Sequence, residues 1–259
     1  MNDQDAYWSA DHYQAVASRL SGISLRLVQE ADVRPDHHVL DVACATGNAA
    51  FHAARRSAEV TGIDYDPVMI EAANRRRDRL RMSVAFRRGD AARMPFPDGS
   101  FDRVLSAYGS MFAPEGEAAA LEMLRVCRPT GMIVMANWNP DSVITSMFQT
   151  LHDLHPVAES IQGIARLWGT APGLRHLFGP TARIRTLLTH YRVPGTADEL
   201  ASVFADHFGP ALCVVDKLGE AAREEIRERL TLLFRKHETI GPEARGVDVG
   251  YLHTWISPR

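Results

Sequence analysis

The run Val39-Leu-Asp-Val-Ala-Cys-Ala-Thr-Gly47 leads from an apolar stretch through small residues into the alanine-rich segment Asn48 to Arg56. Small residues let a ligand approach the backbone, and the amino end of a following helix offers N–H groups to an anion. The GK[ST] of a Walker A loop is missing, and Gly47 is the sole glycine where GxGxxG would need three. A phosphate therefore fits poorly and a carboxylate better, with an ordinary tight strand-to-helix turn as the bland alternative. Asp64 lies 17 positions beyond Gly47 at the end of the next apolar run. An acidic side chain there can accept hydrogen bonds from both hydroxyls of a ribose. Asp66 precedes Pro67 and reads as a helix cap, leaving Asp64 to the ligand and Tyr65 beside it near a base face. Gly89-Asp90-Ala91 follows the third run; Asp90 can accept an exocyclic amine while the Ala91 N–H meets a ring nitrogen, or Asp90 shapes a turn. Pro97-Asp98-Gly99 is turn chemistry.

These residues need elements to hold them. Short apolar runs at His38 to Val42, Glu59 to Ile63, Ser83 to Arg87, Phe101 to Ala107 and Gly131 to Asn137 read as strands. Helical segments Asn48 to Arg56, Pro67 to Leu80 and Glu115 to Cys127 fall between them. The alternation implies βαβ crossovers and a parallel sheet covered on both faces, with ligands at the carboxyl ends of the strands. Tyr13, Val16, Leu20, Ile23, Leu27 and Val28 recur at helical spacing in the first 34 residues. After Pro140, Ser142 to Leu154, Asp198 to His207 and Glu220 to His237 read as helices. Gly163 to Gly179 reads as loop-rich, and Ala182 to Val193 and Val247 to Ile256 read as two further strands.

Taken together, the small-residue loop at 39–47, Asp64, Gly89-Asp90-Ala91, Pro95 to Asp102 and Arg125 to Gly131 resemble the class I S-adenosylmethionine-dependent methyltransferases, ubiquinone/menaquinone-biosynthesis type. The resemblance covers residues 36–138. It implies an α/β, Rossmann-like, seven-stranded, mostly parallel sheet with helices on both faces and a helical lid. The expected organisation is a helical lid over 1–35, the cofactor core over 36–139, and an acceptor lid with the last strands over 140–259. It also implies S-adenosylmethionine as cofactor: ribose contact at Asp64, adenine contacts at Asp90 and Ala91, and methionine-end contacts from Ala43, Ala45, Thr46, Gly47 and near Ser106. Ala43 and Ala45 stand where the family has glycines, so the loop either avoids positive φ there or is reshaped. Binding is expected to survive, since one methyl group does not fill such a site. In the stretch Trp8-Ser-Ala-Asp11-His12-Tyr13 ahead of the first helix, Tyr13 is the candidate to fold over the cofactor.

Methyl transfer from a sulfonium uses an activated donor, so alignment and exclusion of water carry most of the rate. The fourth strand ends Ser106-Ala-Tyr-Gly109, without the [DN]PP[YF] of enzymes that methylate adenine or glutamine amides. Tyr108, Met111, Phe112, Asn137, Trp138 and residues 140–180 are expected to wall an acceptor pocket. His152 and His155 are the candidate bases, alongside Tyr108 as a catalytic candidate. The acceptor is expected to be a small, partly apolar metabolite. A non-methylating S-adenosylmethionine binder on the same fold, such as a cyclisation catalyst or regulator, is the alternative; a dehydrogenase is disfavoured by the missing GxGxxG.

Bulk properties exclude other classes. A net charge of -3 does not advertise nucleic acid binding. The arginines from Arg75 to Arg81 and at Arg87-Arg88 read as a solvated helix face leading into a strand. No apolar run approaches the ~20 residues of a membrane span, and the acidic, polar start carries no secretory signal. Cys44, Cys127 and Cys213 show no CxxC spacing, which argues for reduced thiols in the cytoplasm and against zinc. Two lysines against abundant arginine and alanine suggest a GC-rich bacterial source. The expected partner is a small-molecule acceptor, with no nucleic acid, no membrane insertion, no metal, and a homodimer left open.

Overall fold

The computed structural model describes residues 9–56, 59–156, 161–180, 182–240 and 245–258. Helices and strands come in the order α1 (Ala10–Glu30), β1 (His38–Val42), α2 (Asn48–Ala54), β2 (Glu59–Asp64), α3 (Pro67–Leu80), β3 (Ala85–Arg88), β4 (Phe101–Ala107), α4 (Gly116–Val126) and β5 (Cys127–Trp138). Then follow α5 (Val143–Leu154), α6 (Ile161–Trp168), α7 (Ala171–Phe178), β6 (Ala182–Pro194), α8 (Ala197–His207), α9 (Gly209–Leu218), α10 (Glu220–Arg235), β7 (Glu238–Ile240) and β8 (Arg245–Pro258).

The strands form one sheet in the order β3-β2-β1-β4-β5-β8-β6, with β7 paired antiparallel to β8 outside that path. The first five strands are parallel throughout. The expected seven strands are therefore present, and the short β7 is an eighth. Chain order reverses at β1, which pairs with β2 on one side and β4 on the other. Ligands bind at such a switch point, outside the carboxyl ends of the strands. Strands buried on both faces need apolar side chains on both. Leu40, Val42, Ile63, Val104, Leu105, Ile133 and Val134 meet that need and are fully buried.

The chain divides into two compact units that do not follow chain order. One comprises Ser21–Asn137, Arg166–Leu188 and the chain from Leu252 on; the other comprises the chain up to Leu20, Trp138–Ala165 and Thr189–Tyr251. The first contains β1 to β4 and nearly all of β5. In the second, α5, α8, α9 and α10 share an aromatic core: the Phe204 ring lies 5.6 Å from Phe208 and 5.7 Å from Phe234, and Phe148 lies 5.1 Å from Phe208.

Several expectations are corrected. Residues 163–179 are not a loop but the end of α6 and all of α7. Thr170 caps α7 by accepting from Gly173 N, Pro172 sits in its first turn, and Gly179 ends it at φ 66°. A Cβ on Gly173 would sit 2.1 Å from Leu167 O, so glycine is what lets α7 start against the last turn of α6. Trp168, expected in a flexible acceptor wall, is buried against Phe178 at 6.2 Å and against Gly116 of α4. Phe148, expected in the same wall, packs on Phe208. Asp11, His12 and Tyr13 lie inside α1 instead of ahead of it, and Trp8 falls outside the described residues. The helix α9 and strand β7 had no sequence reading.

Candidate functional site

The loop from β1 to α2 turns sharply between its strand and its helix. Ala43, Ala45 and Gly47 all have positive φ, 53°, 46° and 87°. The loop thus does not avoid positive φ; the two alanines adopt the left-handed region that glycine would take freely. Each costs about 1–2 kcal/mol relative to ordinary backbone, so the surroundings must hold them there. Four residues do so. Asp64 accepts from Ala45 N through Oδ2 (2.8 Å). Arg76 donates from one guanidinium nitrogen to Thr46 O (3.2 Å) and Asn48 Oδ1 (2.6 Å) while lying over the Phe51 ring. Asp41 accepts from Ala50 N (2.8 Å) and so ties the strand to α2. Gly109, after β4, packs so close that a Cβ on it would stand 2.5 Å from both Ala43 Cβ and Ala43 O. Arg76 therefore departs from the expected solvated arginine face: it turns inward onto the loop.

Two buried carboxylates lie beneath this loop. Burial raises the Asp64 carboxyl to about 6, against the pull of the N–H groups of Asp66 and Ala45. Burial raises Asp41 to about 7, the Ala50 N–H opposing and the nearby Asp64 adding to the rise. Thr46 Oγ1 is buried and has no hydrogen-bond partner among the described residues. A half-buried, left-handed backbone turn beside an acidic side chain and an unpaired hydroxyl suits a ligand that carries carboxylate, amine and ribose groups.

The other expected residues take varied places. Asp66 caps α3, its Oδ1 accepting from Val68 N at 2.8 Å, as the sequence reading had it. Tyr65 is exposed, and its carbonyl accepts from Arg88. Asp90 is exposed at the end of β3; its Oδ1 accepts from Ala92 N (2.9 Å) and its carbonyl from Arg93 N, with Ala91 between. Ser106 is fully buried, donating to Val42 O (3.0 Å) and accepting from Ser110 N (3.1 Å), so its hydroxyl joins the ends of β1 and β4. Tyr108 has a left-handed φ of 66°, and its N–H donates to Ala136 O of β5 (2.8 Å). Tyr13, in the first turn of α1, and His152 and His155, at the end of α5, belong to the other unit.

The segment 94–102 is shaped by arginine. Arg125 of α4 donates to Phe96 O (2.7 Å), Met94 O (3.1 Å), Asp98 (2.8 Å) and Glu122 (2.7 Å), and Glu122 in turn accepts from Met94 N (2.7 Å). Arg128 pairs with Asp102, which also accepts from His38 N. These side chains position the chain after β3 and do no chemistry themselves. Replacing Arg125 with lysine leaves most of these acceptors unserved, since one ammonium cannot reproduce a guanidinium fork. Arg125→Lys is expected to cost about 1–3 kcal/mol in urea unfolding. A wild-type unfolding midpoint would show that the network contributes nothing.

Asp41 and Gly109 had no site reading from sequence, and Arg76 was read only as part of a solvated face. Asp41 carried a signal, a carboxylate inside an otherwise apolar buried strand; Arg76 and Gly109 carried none without the fold. Among the described residues no group of three or more His, Cys, Asp or Glu could hold a metal ion. No described helix is long and apolar enough to cross a membrane.

Residues 39–131 match the family model described as a methyltransferase domain. The chain is 30% identical over 222 residues to an uncharacterised protein of Mycobacterium tuberculosis, covering 84% of this chain and 81% of that protein. It is 37% identical over 134 residues to the demethylmenaquinone methyltransferase of Beutenbergia cavernae, covering 49% of this chain and 53% of that protein. Among solved structures, the YcgJ protein of Bacillus subtilis superposes with a TM-score of 0.61 at 21% identity, over 92% of this chain and 99% of that one.

Proposed function

Because the chain belongs to the class I S-adenosylmethionine-dependent methyltransferases, we propose that it methylates a small, partly apolar metabolite in the bacterial cytoplasm. S-adenosylmethionine supplies a methyl group on a positively charged sulfur that is already a good leaving group. The observation that carries the reading is the left-handed loop at 43–47, with Asp64 holding one side and the Thr46 hydroxyl buried without a partner.

In this reading the backbone of the loop at 43–47 and the Thr46 hydroxyl take the methionine end, the N–H groups of Cys44, Ala45 and Gly47 being held by Ile63 O, Asp64 and Cys44 O. Asp64 accepts from the ribose hydroxyls while keeping Ala45 N. Asp90 and the Ala91 N–H meet the adenine edge, and Tyr65 covers its face. Ser106 acts by positioning, since its hydroxyl joins Val42 to Ser110. Tyr108, Met111 and Asn137 stand at or just beyond the ends of β4 and β5 for the acceptor.

Incubation with methyl-labelled cofactor and analysis of the products tests the whole reading. A labelled small molecule together with demethylated cofactor supports it. A rearranged or cyclised product without label would instead establish the non-methylating alternative, and micromolar NAD binding with none for S-adenosylmethionine would overturn both. Asp66→Ala is expected to lower stability by about 1 kcal/mol, the worth of a helix cap, and to leave cofactor affinity unchanged. Thermal melting and calorimetry on that variant separate cap from ligand; a drop in affinity without a drop in stability would reverse the assignment.

A further inference from the structure

Asn137 is the last residue of β5 within the sheet-bearing unit and is fully buried. Neither its Nδ2 nor its Oδ1 has a hydrogen-bond partner among the described residues. The adjacent strand ends alongside it: Ala107 pairs with Ala136, and Tyr108 N donates to Ala136 O at 2.8 Å before the chain turns left-handed at Tyr108. Two residues on, the Ser110 hydroxyl is also fully buried and without a partner, although its backbone N–H is held by Ser106. Folded proteins pair nearly all buried polar groups, so a carboxamide with both ends unserved stands out. Its place matters as much: it lies at the carboxyl ends of two parallel strands, where this architecture receives ligands.

We infer that Asn137 is the residue that selects the acceptor, by pairing with a group that presents a hydrogen-bond donor beside an acceptor; the inference rests on the methyltransferase reading. A carboxamide offers one acceptor and two donors. A carboxylate would satisfy only its Nδ2 and a protonated amine only its Oδ1. An amide, lactam or hydroxy-carbonyl edge satisfies both at once, and the Ser110 hydroxyl can serve whatever remains. Rejection of molecules lacking either half follows from the cost of leaving a buried polar group unpaired. Asn137 binds and orients in this account and moves no proton.

The test needs no known acceptor. Asn137→Leu and the smaller Asn137→Val remove the amide, and the pair separates hydrogen bonding from overpacking. If the amide waits for a ligand, at least one of these ligand-free variants melts above wild type, by roughly 2–4 °C. Both melting below wild type would show that the amide is satisfied within the protein, and would overturn the inference. The second arm adds millimolar benzamide, methyl benzoate or aniline to protein saturated with S-adenosylhomocysteine. Benzamide, which carries donor and acceptor on one edge, is expected to raise the melting temperature of wild type and not of Asn137→Leu. Equal shifts with all three, or no benzamide shift in wild type, would overturn the assigned ligand class. Calorimetry with S-adenosylhomocysteine alone keeps the two readings apart. Retained binding with failed arms defeats only the role of Asn137, whereas no binding by wild type defeats the underlying function.

Discussion

Gly109→Ala is expected to disable cofactor binding while leaving the rest of the sheet folded. The added methyl would lie 2.5 Å from Ala43 Cβ and from Ala43 O, and the second of these is backbone. No side-chain rotation can relieve it. The loop at 43–47 must shift, and its left-handed residues have little room to do so. Forcing one methylene into packed surroundings typically costs about 1–3 kcal/mol, and here that cost falls on the binding loop. Affinity for S-adenosylmethionine is therefore expected to fall by roughly tenfold to a hundredfold, since about 1.4 kcal/mol is a factor of ten. Adding Ala43→Gly removes the methyl-to-methyl clash and the strain at that position but not the contact with Ala43 O, so the double variant should recover only part of the loss. Calorimetry on the three proteins measures this. Wild-type affinity in Gly109→Ala would mean that the loops after β1 and β4 move independently.

The second large effect is a pH dependence centred on Asp64. Its folded-state value, about 6, lies above the ordinary 3.8 because burial disfavours the charge. The folded, ligand-free protein therefore holds this proton more tightly than the unfolded chain. Between those two values its contribution to stability falls as pH rises, and Asp41 extends the same trend to about 7. In the proposed binding mode cofactor affinity runs the other way, because the ribose hydroxyls would donate to the ionised carboxylate. Affinity is expected to rise with pH through about 6 and then level off. Asp64→Asn should flatten that profile and weaken binding about a hundredfold or more at pH 8, since each charge-assisted hydrogen bond contributes roughly 1.5–3 kcal/mol. Titrations from pH 5 to pH 8 with both proteins decide it. Parallel profiles would show that another group controls binding.

The sequence was legible where local signals and architecture agree. The strands β1, β2 and β4 and the helix α3 follow from apolar runs and from the Asp66-Pro67 cap, and their alternation dictates a parallel sheet. Asp64 was visible because it ends a strand at a fixed remove from a small-residue loop. The misread region, 163–179, shows the limit: Thr170, Pro172, Gly173 and Gly179 resemble loop composition, yet here they start, space and stop helices. Arg76 illustrates another limit. Within a row of arginines nothing local separates the one whose guanidinium meets Thr46 O from those facing solvent. Asn137 was expected to wall a pocket, but its unpaired amide is a property of packing and appears only in three dimensions.

Ala43 and Ala45 also alter when the disorder of the binding loop is lost. A glycine at either position could swing freely between positive and negative φ, and that freedom would vanish only when a ligand arrived. A Cβ closes most of that territory. With Gly109 against one alanine and Asp64 on the amide of the other, the loop has few shapes left before any ligand is present. The entropy is thus surrendered during folding, at the expense of the protein's own stability, and in the proposed binding mode association would meet a surface with little left to order. Such a loop rewards the ligand that fits it and adapts poorly to any other.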